Sequence, residues 1–391
     1  GRSREETMEL AAMVARRLPL LLLPVLLLLL LLAAFPSGTA QNMPPPPVFR
    51  CTSATAKCQA LAGYVTDNET TYEAIKSLFQ VHSLHALYGA NDLDASTSAA
   101  TRVPAGRTVK VPFPCACANG TGVSDGRPVY SVKSGDILFD IATKIYKSFV
   151  TYPQIAAANG VKNESLIEVG QSLRIPLPCS CDPADGHEAV HLAHAVAKGS
   201  SMAAIAEEFG TTEATLAQIN NISDPKTLQA GQILDVPLRA CNSSIRSVAL
   251  DRGLRVPNGG YALTALNCVK CSCSDDSWQL ECKIEDDLPR VNSSTCPAAT
   301  TCSGRRQLGS DAPDGCASTR CDYAGFNGSA ILTIAVTNRS ACATPPNSGG
   351  GDEGTPPNSG AHALLRPLPW GTSSCAPPPP LLAALLLFAL L

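Results

Sequence analysis

The stretch 187–191 has the residue types and spacing of a zinc-protease motif, HExxH, and His194 follows closely. In such a site a helix places both histidines on one metal ion, and the glutamate acts as a general base. The pattern here predicts a strand instead, because His194-Ala195-Val196 opens a repeat unit described below. Positions i and i+4 of a strand lie about 13 Å apart, too far for His187 and His191 to share an ion. We therefore predict a structural role for this stretch, and neither a metal nor a cofactor.

Acidic residues that could hydrolyse a glycan form a second candidate. A glycoside hydrolase needs two carboxylates across a cleft, and Asp136, Asp140, Glu207 and Glu208 are available. They lie in units too small for a deep cleft, and exposed acidic pairs are usually solvated surface. No nucleophile motif of the G-x-S-x-G type occurs. We predict that the protein is not an enzyme, with a wall-glycan hydrolase as a less favoured alternative.

Charge and cysteine content restrict the partners and the compartment. The chain has 391 residues, a net charge of −3 and 17 cysteines. Its basic residues form no cluster, which argues against nucleic-acid binding. So many cysteines need an oxidising compartment or metal sites. The stretch Cys268-x-x-Cys271-x-Cys273 would suit zinc, but no histidine lies nearby, and the features described next favour disulfides.

Both ends of the chain carry targeting patterns. Arg16 and Arg17 precede an apolar run, 18–35, and small residues at 38–40 provide a cleavage site, as in a secretory signal peptide. At the other end the apolar tail 381–391 follows a Pro-rich spacer and the small residues 371–376. This pattern predicts a glycosylphosphatidylinositol (GPI) attachment signal.

Ser374 is the predicted attachment residue, with Ser359 and Gly371 as alternatives. Removal of the tail also removes Cys375, and the remaining even number of cysteines can all pair. The protein is therefore expected on the extracellular face of the plasma membrane, with substantial N-glycosylation. The predicted acceptors are Asn68, Asn119, Asn163, Asn221, Asn242, Asn292, Asn327 and Asn338.

An internal repeat organises the middle of the chain. The stretch 130–142 matches 194–206, and 170–176 matches 231–237 in the phrase G-Q-x-L-x-[IV]-P. The matched pairs include Val132 with Val196, Gly135 with Gly199, Leu138 with Met202, Ile155 with Leu216, and Asn159 with Asn220. A weaker earlier copy is indicated by Tyr64, Tyr72, Ile75, Asn91 and the stretch 104–112.

Each copy reads as a strand, two helices and a closing strand. In the second copy we predict a strand over 129–133 and a first helix with Asp136 as its N-cap. A second helix, 152–158, should end at Asn159-Gly160, and a strand should close the unit over 172–176. Such small units bury little apolar surface, so bridges between Cys51, Cys58 and the two C-x-C pairs, 115–117 and 179–181, should staple them together.

The βααβ units, the phrase G-Q-x-L-x-[IV]-P and the two C-x-C spacers closely resemble the three-LysM ectodomain of plant cell-surface receptors. The chain is similar to the plant LysM domain-containing GPI-anchored proteins over about residues 51–241, plus the signal and the anchor. That resemblance implies the pairs Cys51–Cys117, Cys58–Cys181 and Cys115–Cys179; by counting alone, six cysteines allow 15 pairings.

The resemblance also implies a function. Relatives of this kind are innate immune receptors for GlcNAc-containing oligosaccharides from bacterial peptidoglycan and chitin, and they signal through a LysM receptor-like kinase. The resemblance is also compatible with homo- or hetero-oligomers. The alternative function is that of a symbiotic-signal or scaffold protein. The first unit departs from the pattern, with Asn68-Glu69-Thr70 in place of the Gly-Asp turn, and the third has Gly199-Ser200 there.

In LysM proteins two loops of a unit hold the sugar, and we carry this expectation onto the second unit. An acetamido methyl could contact Ile137 or Val161, while the loop backbone binds its amide. The predicted glycan-binding residues are Lys133, Ser134, Gly135, Asp136, Ile137, Asn159, Gly160, Val161, Lys162 and Ile167.

The expected fold class is α+β, with three disulfide-linked LysM units followed by a small cysteine-rich domain that has a strand near 330–337. The expected segments are a leader and signal peptide (1–40), a divergent first unit (41–117), a second (118–181) and third unit (182–241), the cysteine-rich domain (242–343), a Pro/Gly/Ser stalk (344–374) and the removed signal (375–391).

Overall fold

The computed structural model describes residues 46–163, 166–285, 288, 295–302, 307–314 and 317–339. The predicted signal peptide, the stalk and Ser374 lie outside these residues, as do Asn292, Cys316 and Cys342. Every helix within the described ranges is too short or too polar to cross a membrane.

The structure is a mixed α+β fold, which confirms the predicted class. Its strands are β1 (Phe49–Arg50), β2 (Lys57–Val65), β3 (Thr70–Thr71), β4 (Arg102–Val103), β5 (Thr108–Ala118), β6 (Thr121–Ser124), β7 (Val129–Ser131), β8 (Ser172–Arg174), β9 (Pro178–Cys179), β10 (Ala189–Ala195), β11 (Ile233–Cys241), β12 (Val256–Pro257), β13 (Tyr261–Thr264), β14 (Val269–Cys273), β15 (Leu280–Ile284), β16 (Asp311–Asp314), β17 (Ala317–Phe326) and β18 (Ile331–Arg339). Its helices are α1 (Tyr72–Phe79), α2 (Leu84–Ala90), α3 (Leu138–Asp140) with a π-helical continuation (Ile141–Ile145), α4 (Tyr152–Ala158), α5 (Met202–Phe209), α6 (Glu213–Ile219) and a 3₁₀ turn (Pro225–Thr227).

We call 57–118, 129–174 and 189–241 the first, second and third units. In each of them strands enclose two helices. The first and third units share one sheet: β2 pairs antiparallel with β5, and β10 pairs antiparallel with β11. Between these pairs β2 and β10 run parallel, with Leu61 opposite Leu192. The second unit keeps a separate two-stranded sheet, β7 and β8, in which Tyr130 lies opposite Leu173.

Hydroxyl caps begin most of the helices. The side chains of Thr71, Ser83, Thr151, Ser201 and Thr212 each accept a hydrogen bond from a backbone N–H of the first turn. Such caps satisfy N–H groups that have no partner within the helix. Of the six α-helices in the described part of the chain, five therefore start where the sequence places a serine or threonine.

The first helix of the second unit is the exception. Its N-cap is Ile137, which makes no side-chain cap, so the prediction of Asp136 as N-cap is wrong. The Asp136 carboxylate instead accepts from the backbone N–H of Lys133 at 2.7 Å and closes the preceding turn. The helix then widens into the π-helical segment, which is closed by the Tyr146 N–H donating to the Ile141 carbonyl at 3.0 Å.

One asparagine in each unit ties the second helix to the closing strand. The Asn159 amide nitrogen donates to the carbonyls of Ile155 and Arg174, and its oxygen accepts from the Arg174 N–H, all at 2.8 Å. Asn91 and Asn220 make the same three hydrogen bonds within their own units, at 2.7 to 2.9 Å. We call this arrangement the asparagine staple.

Replacing Asn159 with alanine should lower the free energy of unfolding by about 2–3 kcal/mol, because three hydrogen bonds worth about 1 kcal/mol each are lost. Chemical denaturation followed by circular dichroism measures the effect. Asn258→Ala, at an exposed asparagine, is the matched control and should change stability by less than about 0.5 kcal/mol. Equal losses in the two variants would contradict a structural role for Asn159.

Disulfides join the units. The structure pairs Cys51 with Cys117, Cys58 with Cys181 and Cys115 with Cys179, the same three pairs that the family resemblance implies. Because Cys51 precedes the first unit and Cys181 precedes the third, these bridges hold the three units at one hub.

The C-terminal segment contains two three-stranded antiparallel sheets, β13–β15 and β16–β18. The last strand overlaps the stretch 330–337 that was predicted to be extended. Among the described residues of this segment the disulfides are Cys241–Cys273, Cys268–Cys296, Cys271–Cys282 and Cys302–Cys321. The three cysteines with a zinc-like spacing are therefore all oxidised in this structure.

Candidate glycan-binding site

The first loop of the second unit, 133–138, is shaped by Asp136. Its carboxylate accepts from the Tyr130 hydroxyl at 2.8 Å and from the Lys133 N–H at 2.7 Å. Gly135 has a φ of 88°, which an L side chain would strain. Lys133, Ser134 and Gly135 are exposed. The loop therefore offers an exposed backbone turn, while the Asp136 carboxylate is used to hold its shape.

Tyr130 supports this turn over a wide pH range. Burial, followed by the hydrogen bond to Asp136, raises the pKa of Tyr130 to about 12. The phenol therefore stays protonated and keeps donating to Asp136 throughout the physiological range.

The second loop begins at the asparagine staple. Gly160 follows Asn159 with a φ of 64°, and the Val161 N–H returns to the Ala156 carbonyl at 2.9 Å. Lys162 is exposed, whereas Val161 and Ile167 are half-buried and pack against the main core. Since both Asn159 amide hydrogens bond backbone carbonyls, its part in the site is to position the loop.

The two loops leave the small sheet at the same end. β7 runs into the first loop and β8 follows the second, and Ser131 lies opposite Ser172. Beyond that pair the Val132 N–H donates to the Gln171 carbonyl at 2.9 Å, and the Gly170 N–H donates to the Val132 carbonyl at 2.8 Å. The predicted residues thus come from two loops that are joined where they meet the sheet.

Exposed apolar side chains on these loops distinguish the second unit. Ile137 is 53% exposed, and Leu166 and Val169 are each 70% exposed. By the register of the repeat, the third unit has Ser201, Thr227 and Ala230 at these places. Sequence reasoning named Ile137 but missed Leu166 and Val169, although comparing the copies position by position would have shown them.

The HExxH stretch lies mainly in strand β10, as the repeat predicted. His191 is buried, with Nδ1 at 2.6 Å from Asp235 Oδ1 and Nε2 at 2.8 Å from the Asp182 carbonyl. Glu188 forms an ion pair with Arg255 at 2.5 Å. Among the described residues, the cluster with metal-like geometry is Cys58, Cys115 and Cys181, whose sulfurs are in disulfides.

The remaining acidic residues have separate surroundings. Asp140 pairs with Lys144 at 2.8 Å along one helix. Glu207 and Glu208 border an open cleft of about 320 Å³ together with Arg239 and Trp278. The Arg239 guanidinium lies 3.8 Å from the centre of the Trp278 ring.

Comparisons with known proteins agree with the repeat. The LysM domain family matches residues 130–176 and 194–237. LysM domain-containing GPI-anchored protein 2 of Arabidopsis thaliana is 42% identical over 306 residues, covering 78% of this chain and 84% of the relative. Chitin elicitor-binding protein of Oryza sativa subsp. japonica is 43% identical over 288 residues, covering 73% and 79%.

More distant is a solved structure, the ectodomain of a receptor like kinase, with 21% identity and a TM-score of 0.40 over 47% of this chain and 92% of that one. The alignments with the Arabidopsis and Oryza proteins cover most of the length of each relative and extend well beyond the repeat. The chain therefore belongs to the plant LysM domain-containing GPI-anchored protein family.

Proposed function

We propose that this protein is a cell-surface receptor that binds GlcNAc-containing glycans, namely chitin and bacterial peptidoglycan fragments, through its second unit. The observation that carries the proposal is the set of exposed apolar side chains Ile137, Leu166 and Val169 on the two joined loops. A relative at 43% identity is named for binding a chitin elicitor.

The chemistry of the loops suits an acetamido group. Its methyl would rest on Ile137 or Val161, and its N–H and C=O would bond the exposed backbone near Gly135 and Gly160. A buried amide left without partners costs about 1–3 kcal/mol, so a sugar that lacks the acetamido group would bind more weakly. Lys133, Ser134 and Lys162 are exposed at the edges and can contact further sugar hydroxyls.

The rest of the chain is assigned in the same way. In this proposal the first unit is a divergent LysM unit, the segment 242–343 is a cysteine-rich domain, and a GPI anchor holds the protein on the outer face of the plasma membrane. Signalling in innate immunity then passes through a partner LysM receptor-like kinase. A chitin elicitor receptor kinase of Physcomitrium patens is 27% identical over 48% of this chain.

A shallow site gains strength by clustering. Several anchored receptors on one polymeric glycan raise the effective concentration, and avidity can exceed single-site affinity by about 10²–10⁴. Homo- or hetero-oligomers on the polymer would therefore favour signalling.

The test is retention of the full chain, extracted in mild detergent, on insoluble chitin, peptidoglycan and cellulose. Retention on the two GlcNAc polymers without release of soluble sugar is expected. No retention of folded protein would favour a scaffold or a symbiotic-signal protein, and released sugars would favour a hydrolase.

Ile137→Asp should weaken chitin-fragment binding at least about tenfold, because tenfold equals about 1.4 kcal/mol and the change replaces an apolar contact with a desolvated charge. Titration calorimetry measures the affinity. Ser201→Asp, at the matching place in the third unit, is the control and should bind like wild type. An unchanged Ile137→Asp variant would place the site elsewhere.

A further inference from the structure

Glycosylation sequons fall within the loops that match the proposed groove. In the first unit the Thr66 N–H donates to the Arg107 carbonyl at 3.1 Å, and the Gly106 N–H donates to the Thr66 carbonyl at 2.7 Å. Val132 makes the same pair of bonds with Gln171 and Gly170 in the second unit. Thr66 therefore matches Val132, and Asn68 takes the place of the predicted groove residue Ser134.

The third unit carries its sequon in the other loop. Asn221 follows the staple residue Asn220 and has a φ of 54°, as Gly160 follows Asn159 with a φ of 64°. The next residue, Ile222, returns its N–H to Ala217 at 2.9 Å, as Val161 does to Ala156. Asn221 therefore takes the place of the predicted groove residue Gly160.

Both asparagines are accessible for modification. Asn68 and Asn221 are exposed, and Thr70 and Ser223 complete their sequons. Asn68 also borders an open cavity of about 360 Å³, which Lys144 and Lys147 line from the second unit. A glycan attached at Asn68 would begin at the mouth of this cavity.

We propose that N-linked glycans on Asn68 and Asn221 occupy the grooves of the first and third units, so that the second unit alone is open to external glycans. In the secretory pathway the Asn Nδ2 attacks C1 of a lipid-diphosphate-linked oligosaccharide. The C1–N bond forms, the C1–O bond to the diphosphate breaks, and the amide loses a proton.

The attached glycan is chemically suited to this place. An N-glycan begins with two β-1,4-linked GlcNAc residues, the same sugar that a LysM groove would take. Because it is tethered to the groove, its effective concentration exceeds that of a free oligosaccharide. The second unit also has a sequon in this loop, but Asn163 lies three positions after Gly160, at the place of Asp224 of the third unit. Its glycan would therefore begin at a different point of the loop from the one on Asn221. This inference rests on the proposed function of the loops.

The test compares full-length wild type with an Asn68→Gln, Ser223→Ala variant, both made in a eukaryotic secretory host. Ser223→Ala removes the sequon but keeps asparagine at a left-handed position, where it is better tolerated than most residues. Thr121→Ala removes the sequon at Asn119, on a hairpin turn outside the loops, and is the control. Glycopeptide mass spectrometry measures occupancy, and calorimetry with chitohexaose measures the number of ligands bound per chain.

Occupied Asn68 and Asn221 in wild type, and more ligand bound per chain by the double variant than by wild type or Thr121→Ala, are expected. This inference alone would be overturned if Asn68 and Asn221 carried no glycan in wild type. It would also be overturned if the double variant bound chitohexaose but bound no more ligands per chain than wild type. Absence of binding by all three proteins would overturn the proposed function and this inference with it.

Discussion

Replacing Asp235 with alanine is expected to lower the free energy of unfolding by about 3–5 kcal/mol, since it leaves a buried charge without its partner. His191 and Asp235 are each 2% exposed. The Asp182 carbonyl can only accept a hydrogen bond, so the His191 Nε2 must carry a hydrogen. Nδ1 lies 2.6 Å from a carboxylate oxygen. Both contacts are satisfied when the ring is an imidazolium and Asp235 is ionised.

The pair makes stability depend on pH. Burial lowers the pKa of His191, but the Asp235 carboxylate, hydrogen bonds from both ring nitrogens and the more distant Asp182 charge together raise it above the ordinary value. The Asp182 carboxylate itself accepts from the Thr52 N–H. The pKa of His191 is therefore higher in the folded protein than in the unfolded chain. The pair contributes its full stabilisation below a pH of about 6.5, and this contribution is lost as the pH rises through the folded pKa.

Guanidinium denaturation at pH 5.5 and pH 8.5 measures both effects. Asp235→Asn is the matched variant, because its amide can donate to a neutral Nδ1 without a charge. It should lose less stability than Asp235→Ala and show a weaker dependence on pH than wild type. A pH dependence in Asp235→Asn equal to that of wild type would show that another group titrates.

The repeat was predictable because its key residues serve the fold by local contacts. Asn159 and Asn220 align in sequence, and both close a staple within their own unit. Asn91 was found despite a divergent first unit, because its three hydrogen bonds demand the same side chain. Side chains that hold one backbone geometry leave a pattern that sequence comparison can find.

Other features depend on contacts that no local pattern encodes. The parallel pairing of β2 with β10 joins units that are not neighbours in sequence. Asp136 has the right type for an N-cap, yet the nearby Tyr130 hydroxyl and Lys133 N–H recruit its carboxylate. A comparison of the copies can single out Leu166 and Val169, but their exposure follows only from the folded loop. The predicted glycan-binding role of the second unit stays a prediction.

The three disulfides at the hub should stabilise the protein cooperatively. Cys58 and Cys181 are 123 residues apart. The other two bridges shorten this path, because Cys51 and Cys58 are seven positions apart and the cysteines of each C-x-C pair are two positions apart. The effective loop is therefore only about a dozen residues, worth about 3 kcal/mol in the chain-entropy model.

Removing the Cys51–Cys117 bridge by alanine substitution lengthens that loop. The shortest remaining path from Cys58 to Cys181 then runs through Cys115–Cys179 and contains about 60 residues. The longer loop raises the contribution of Cys58–Cys181 to the free energy of unfolding by about 1.5 kcal/mol. Removing both Cys51–Cys117 and Cys58–Cys181 should thus lower the free energy of unfolding by about 7 kcal/mol. This loss exceeds the sum of the two single losses by about 1.5 kcal/mol.

A double-mutant cycle measured by guanidinium denaturation without reductant tests this coupling. The control pairs Cys58–Cys181 with Cys271–Cys282, whose cysteines are 11 residues apart in the C-terminal segment. That bridge has a similar loop length but shares no path with the hub, so its removal should be additive with that of Cys58–Cys181. Additive losses within the hub would mean that each bridge acts on its own part of the fold, and that loop entropy does not link the three units.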